Sequence, residues 1–218
     1  MTAVAIFVKT PGQSSIKTRL AEVIGKEKAE SFYLLSCEWT FQTVKQLASS
    51  CNAHPFWAVA EREGMASSLW QNFDRVCQGE GSLGDRLHCV YSELLQRFGS
   101  VVVLGADSPE LTIEAVQDAV QEVGEKEKTP FVMGETPDGG FYLFGGRKPI
   151  PAELWRSVSY SESSTALELK NKISELGVVK PLVSCADVDV IEDLKAVYGR
   201  LKKNRPHKYS ELLALNLI

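Results

Sequence analysis

The chain has 218 residues, 24% of them charged and 44% hydrophobic, with a formal net charge of −4 at pH 7. That length suits one domain, residues 1–218, with one sizeable core, and the composition excludes a disordered chain. A mildly acidic chain has no general field for a nucleic-acid backbone, so any anion site must be local; no stretch approaches the roughly 20 apolar residues of a membrane span.

Extended and helical signals alternate along the chain. Ala3–Val8 is an apolar run of strand length, followed by the basic loop Lys9–Arg19. Apolar residues at helical spacing from Ala29 to Leu47 predict one long amphipathic helix over Lys26–Ser50. Phe56–Ala60 reads as a strand, residues 66–72 as a short helix and Arg75–Cys77 as a short strand. Leu83 to Phe98 forms a second helical pattern, stopped by Gly99. Val101–Leu104 is apolar throughout, as a strand buried on both faces of a parallel sheet must be. A helix is predicted over Thr112–Val123, strands at Phe131–Met133 and Phe141–Phe144 around an Asp-Gly turn, and a helix over Thr165–Leu176. Pro181–Ser184 is extended, and Ile191–Lys202 is helical. Alternation of this kind predicts a three-layer α/β/α fold with a mainly parallel sheet, whose ligands bind beyond the carboxyl ends of the strands.

Five widely spaced cysteines without a C-x-x-C pair point to reduced thiols, and the N-terminal stretch has no basic segment before its apolar run. The expected location is the cytoplasm.

The first loop is where phosphate chemistry is expected. Lys9, Lys17 and Arg19 lie close together after a strand and before a helix, where ammonium, guanidinium and backbone N–H groups can converge on one anion. It is not a P-loop: Ile16 and Pro11 stand where that motif requires glycine. No G-x-G-x-x-G follows the strand either. The alternative is a solvated turn with ordinary surface cations.

Asp107 follows the most hydrophobic strand by three residues, the position at which a carboxylate can hold Mg²⁺ or Mn²⁺ together with phosphate oxygens. It could instead cap the next helix, although Ser108 or Thr112 can do that. Asp187 and Asp189 share one face of an extended segment; one can join Asp107 on a cation while the other caps a helix, or both can be caps or surface acids. Asp138-Gly139-Gly140 is a hairpin turn that also leaves room for close approach of a ligand. Asp85 suits a helix start, and Arg86 could turn inward to an anion. The three histidines fall in no recognisable triad.

In combination these motifs resemble a family of bacterial GT-A-fold transferases, the rSAM/selenodomain-associated transferases. That family begins Lys-x-Pro-x-Pro-Gly-x-x-Lys-Thr-Arg-Leu; Lys9, Pro11, Lys17, Thr18, Arg19 and Leu20 match in register, with Gln13 and Ser14 replacing Pro-Gly. Its Gly-Asp-Leu-Gly-x-Arg is represented by Gly81, Leu83, Gly84 and Arg86. Gly105, Asp107, Pro109 and Leu111 fit its Gly-x-Asp-Cys-Pro-x-Leu, and Asp138–Leu143 fit its Asp-Gly-Gly-Tyr-Tyr-Leu. Asp187, Asp189, Asp193 and Leu194 fit its closing Asp-x-Asp-Thr-x-x-Asp-Leu. The family's Trp-Ser-Thr segment, near the acceptor in this fold, appears only as Val158–Thr165.

The resemblance implies a nucleotide-diphospho-sugar transferase fold with mixed strand directions near Phe141–Phe144. It further implies glycosyl transfer from a nucleotide-diphospho-sugar to an unknown small acceptor, dependent on Mg²⁺ or Mn²⁺. Lys9, Lys17, Thr18, Arg19 and Arg86 would hold the nucleotide phosphates, Asp107 and Asp189 the metal, and Asp138 would be catalytic. The opening motif is also similar to phospholactate guanylyltransferases, which leaves nucleotidyl transfer from a nucleoside triphosphate as the alternative. A nucleotide-binding module without turnover is the third.

Overall fold

The computed structural model describes residues 1–217. Seven strands form one sheet: β1 (Thr2–Val8), β2 (Ala53–Val59), β3 (Asp74–Cys77), β4 (Val101–Gly105), β5 (Phe131–Glu135), β6 (Phe141–Gly146) and β7 (Val179–Pro181). Their spatial order is β3-β2-β1-β4-β6-β5-β7. All neighbouring pairs run parallel except those made by β6, which is antiparallel to both β4 and β5. The reversed strand is the one for which mixed direction is expected, and the fold is the α/β class read from the alternation.

The period of two along each strand divides the core. Val4, Ile6 and Val8 of β1, with Val102 and Leu104 of β4, face one side; Ala3, Ala5, Val101 and Val103 face the other. Helices α2 (Lys26–Ser50) and α4 (Ile113–Gly124) cover the first face, and α3 (Leu83–Phe98), α5 (Ala152–Arg156) and α6 (Thr165–Ile173) cover the second. A third apolar cluster joins α1 (Thr18–Ile24) and the outer side of α2 to α7 (Ile191–Asn204) and α8 (Pro206–Ala214). Trp155, fully buried on α5, packs against Tyr91 and Phe144. No helix among the described residues is long and apolar enough to cross a membrane, and the five thiols are free.

Several predicted boundaries move. Residues 66–72 do not form one helix: Ser67 adopts an extended ψ of 138° and separates two short 3₁₀ turns, Glu63–Ala66 and Ser68–Trp70. The helix predicted to reach Leu176 stops at Ile173, before Gly177 at φ 155°. The last strand begins two residues early because Val179–Pro181 is the segment in register with Phe131–Met133.

The helix after β4 starts as its capping chemistry dictates. Ala115 N–H donates to Thr112 Oγ1 at 3.1 Å, so Thr112 is the cap and Asp107 is not. Replacing Thr112 by Ala is therefore expected to cost about 1 kcal/mol of stability, read from the urea midpoint, without changing ligand binding.

Candidate active site at the carboxyl ends of β1 and β4

Chain order reverses between β1 and β4: from β1 the chain proceeds outward to β2 and β3, then returns to place β4 on the other side. A crevice opens at such a switch point beyond the carboxyl ends of the strands. The basic loop leaves β1 there and Asp107 leaves β4, with Phe7 and Gly105 in register at the rim. The resulting cleft has a volume of about 880 Å³. All eight residues singled out from the sequence border it: Lys9, Lys17, Thr18, Arg19, Arg86, Asp107, Asp138 and Asp189.

The loop is anchored where it starts. Lys9 N–H donates to the Tyr33 hydroxyl at 2.7 Å, Thr10 N–H donates to Glu61 at 2.9 Å, and Trp70 Nε1–H donates to Thr10 Oγ1 at 3.0 Å. Burial pushes the Tyr33 hydroxyl pKa well up, so it stays a neutral post under the loop. At the other end Lys17 is left-handed, φ 46° and ψ 47°, immediately before α1. A non-glycine residue there costs roughly 1–2 kcal/mol, so other contacts must hold it.

Those contacts are ionic. Lys17 Nζ donates to Asp107 Oδ2 at 2.8 Å and to Asp189 Oδ1 at 2.9 Å, with only 5% of its side chain exposed. Burial lowers the ammonium pKa, but the two carboxylates more than offset it, and Lys17 is held well above its ordinary value. For Asp107, burial pushes the carboxyl up and Lys17 more than reverses it, leaving the pKa below the usual range. Lys17, which the resemblance assigns to the phosphates, bridges Asp107 and Asp189, the two residues it assigns to the metal.

Asp187 completes the group. One carboxylate oxygen from each of Asp107, Asp187 and Asp189 lies within 4.8 Å of the others. Burial, then the negative charges of Asp107 and Asp138, push the Asp187 carboxyl up to about 6. Neither Asp187 nor Asp189 caps α7; Asp193 Oδ2 accepts from the N–H groups of Asp189 at 3.0 Å and Val190 at 2.9 Å. Three carboxylates against one ammonium leave an excess of negative charge. An all-oxygen donor set of this kind suits Mg²⁺ or Mn²⁺, and the Lys17 ammonium stands among them as a resident cation.

Arg86 does turn inward. Its Nε donates to Gly81 O and its Nη1 to Ala60 O, each at 3.2 Å, which holds the guanidinium on the cleft wall. Helix α3 below it opens with a capping box between Ser82 and Asp85. Lys9 reaches Ser15 O at 3.4 Å, and Thr18 and Arg19 sit exposed on the first turn of α1.

Asp138 is the third residue of the turn Thr136–Gly139, between β5 and β6. Its Oδ1 accepts from Thr136 Oγ1–H and from Gly140 N–H, and neither bond uses Oδ2. Of the two adjacent glycines, Gly140 borders the cleft, whereas Gly139 faces protein on the side where a Cβ would stand. Gly139, at φ 92°, backs onto the Ser163 backbone, and Ala166 N–H donates to its carbonyl at 3.0 Å; a side chain at Gly140 would meet Thr136 Oγ1. The space on the Cβ side of Gly139 is filled by the Ser163 backbone.

Tyr33, Gln78, Tyr160 and Glu162 also border the cleft and were not singled out. Gln78 is buried, with its amide nitrogen donating to Val8 O at 3.3 Å and Ala58 O at 2.8 Å. None of these four has a local pattern that would mark it. Tyr160 and Glu162 lie in the divergent segment expected near an acceptor.

The fold resembles that of several solved structures. The crystal structure of a "putative nucleotide-diphospho-sugar transferase" from Desulfovibrio desulfuricans G20 superposes with a TM-score of 0.83 at 25% identity, covering 99% of this chain and 94% of that one. A CMP:2-keto-3-deoxy-manno-octonic acid synthetase complexed with CTP is similar at a TM-score of 0.54 and 12% identity, over 93% of this chain and 98% of that one. The 4-diphosphocytidyl-2C-methyl-D-erythritol synthase of Anaerococcus prevotii DSM 20548 gives 0.56 and 13%, with the same coverage. These last two likenesses are of fold. No curated protein sequence matches the chain. Residues 43–162, more than half of the chain, match the family described as "Uncharacterized protein conserved in bacteria (DUF2064)", and the chain belongs to that family.

Proposed function

We propose that this protein transfers a glycosyl group from a nucleotide-diphospho-sugar to a small hydroxyl-bearing acceptor. The observation that carries this reading is the meeting of the cationic β1 loop with three carboxylates, through Lys17, in one cleft. The likeness to the D. desulfuricans protein, over nearly the whole of both chains, supports the donor class.

Lys9, Arg19 and Arg86 bind the donor's phosphates, and Asp107 and Asp189, with Asp187 beside them, hold Mg²⁺ or Mn²⁺. When bound, that cation neutralises charge on the departing diphosphate as a Lewis acid. Asp138 orients the acceptor: the two bonds to Oδ1 fix the carboxylate and leave Oδ2 to accept the hydroxyl proton. The acceptor oxygen then bonds to the anomeric carbon, whose bond to the phosphate oxygen breaks, and a nucleoside diphosphate leaves. Tyr160 and Glu162 form the wall on the acceptor's side.

The opening Lys17-Thr18-Arg19-Leu20, similar to that of guanylyltransferases, favours a second reading, nucleotidyl transfer with attack at the α-phosphate. One experiment separates the two. The purified protein is given Mg²⁺ or Mn²⁺ with panels of nucleotide-sugars and nucleoside triphosphates, and the released product is identified. Nucleoside diphosphate release from a nucleotide-sugar is the expected result. Pyrophosphate release from a triphosphate, with no response to nucleotide-sugars, would replace glycosyl by nucleotidyl transfer, and thermal shifts without either product would leave a binding module.

A further inference from the structure

Lys17 has two possible employments in the cleft, and one ammonium cannot fill both at once. Its Nζ lies 2.8 Å from Asp107 Oδ2 and 2.9 Å from Asp189 Oδ1, so it occupies the space that a divalent cation shared by those carboxylates needs. Its side chain is 5% exposed and its backbone is left-handed, so the loop is held in an otherwise unfavourable conformation by this pairing. Among the described residues, the neighbouring cations of the loop, Lys9 and Arg19, make no such pairing: Lys9 reaches a backbone carbonyl at 3.4 Å and Arg19 is exposed.

We infer that Lys17 is a displaceable internal cation that blocks the carboxylate cluster until a metal arrives with a polyphosphate. A metal ion alone must expel the ammonium from between Asp107 and Asp189 and leave a buried cation deprived of both of its ion-pair partners, which is costly. A metal that arrives with a diphosphate brings the replacement partner: Nζ moves off Asp107 and Asp189 and pairs with a phosphate oxygen. The metal and the nucleotide therefore strengthen each other's binding, and this coupling is reciprocal. The inference rests on the metal–nucleotide reading above and specifies its order: the cleft discriminates against free divalent ions and admits them as the nucleotide complex.

The test uses Mn²⁺ alone, followed by the electron paramagnetic resonance signal of the free ion, on the full chain. Lys17→Met keeps the length of the stem and removes the charge; it should bind Mn²⁺ at least tenfold more tightly than the unsubstituted protein. Adding Asp107→Asn to Lys17→Met should return Mn²⁺ binding to the unsubstituted level, locating the ion at the cluster. Lys17→Arg keeps a cation and should stay weak. Thermal melting checks the fold: Lys17→Met should melt lower than the unsubstituted protein without metal and recover with Mn²⁺, whereas the unsubstituted protein should shift little. Equal Mn²⁺ affinity in the Lys17→Met and unsubstituted proteins, or a tight site in both, overturns the inference, as does an Lys17→Met variant too unstable for Mn²⁺ to rescue. A separate calorimetric titration of UDP and GDP with Mg²⁺ distinguishes failure of the underlying reading: no nucleotide binding under any metal condition defeats the proposed function, whatever the Mn²⁺ titrations give.

Discussion

Asp107→Asn should reduce turnover by about a hundredfold or more and remove its response to Mg²⁺ or Mn²⁺. The substitution preserves shape but deletes the charge that faces Lys17 at 2.8 Å and, in the proposed reaction, the metal. A hydrogen bond to a charged group contributes about 1.5–3 kcal/mol, and each 1.4 kcal/mol is a factor of ten, so one such loss costs one to two decades and two cost more. Stability should change much less than activity, because Lys17 retains Asp189 and Thr112 still caps α4. Initial rates over a metal titration are the measurement. A variant within threefold of the unsubstituted protein, with the same metal requirement, would remove Asp107 from the proposed chemistry.

Gly139→Ala is expected to be the most damaging small substitution near the cleft. The residue sits at φ 92°, and an added methyl would overlap the Ser163 carbonyl, which is backbone and cannot swing aside as the end of a flexible side chain could. A left-handed non-glycine costs roughly 1–2 kcal/mol, and forcing packed groups apart costs typically 1–3 more. The displaced turn would also carry Asp138 with it, so acceptor-dependent turnover should fall while nucleotide affinity holds. Gly25→Ala provides the comparison. Gly25, between α1 and α2, has nearly the same φ, 88°, but an added methyl there meets no atom within 4 Å. Urea unfolding of both should show the conformational penalty alone for Gly25→Ala and a clearly larger loss for Gly139→Ala. Equal losses would mean that the Ser163 contact yields without cost.

What was legible in the sequence follows from how local each signal is. The β4 run, Val101–Leu104, is apolar because both faces are covered, and that pattern is visible without the covering helices. Asp107 follows from it, since a carboxylate just past such a strand can be placed at the ligand-binding edge of the sheet. Helices α1, α5 and α8 were not anticipated. At seven and five residues α1 and α5 are too short to show a convincing period, and α5 and α8 are held by tertiary packing such as that of Trp155 and Leu212. The bridging of Asp107 and Asp189 by Lys17 spans 90 and 172 residues of sequence, so no spacing rule could reveal it. Gly139 shows the converse: glycine was expected to make room, but the sequence could not say that Ser163 would take it.

The order of the strands also bears on how the protein behaves towards copies of itself. An open sheet ends in two rows of backbone groups that can pair with another chain, and long, flat borders invite fibrous self-association. Here the borders are the two shortest strands, β3 with four residues and β7 with three. Just past β7, Leu182 N–H donates inward to Met133 O at 2.8 Å, so the adjacent Pro181 is turned to the outer side, where it contributes no N–H at all. On β3, the charged Asp74 and Arg75 are exposed along the other border. The buried strands β1 and β4 that build the cleft are kept in the middle of the sheet, and a chain with this arrangement should withstand concentration without edge-to-edge stacking.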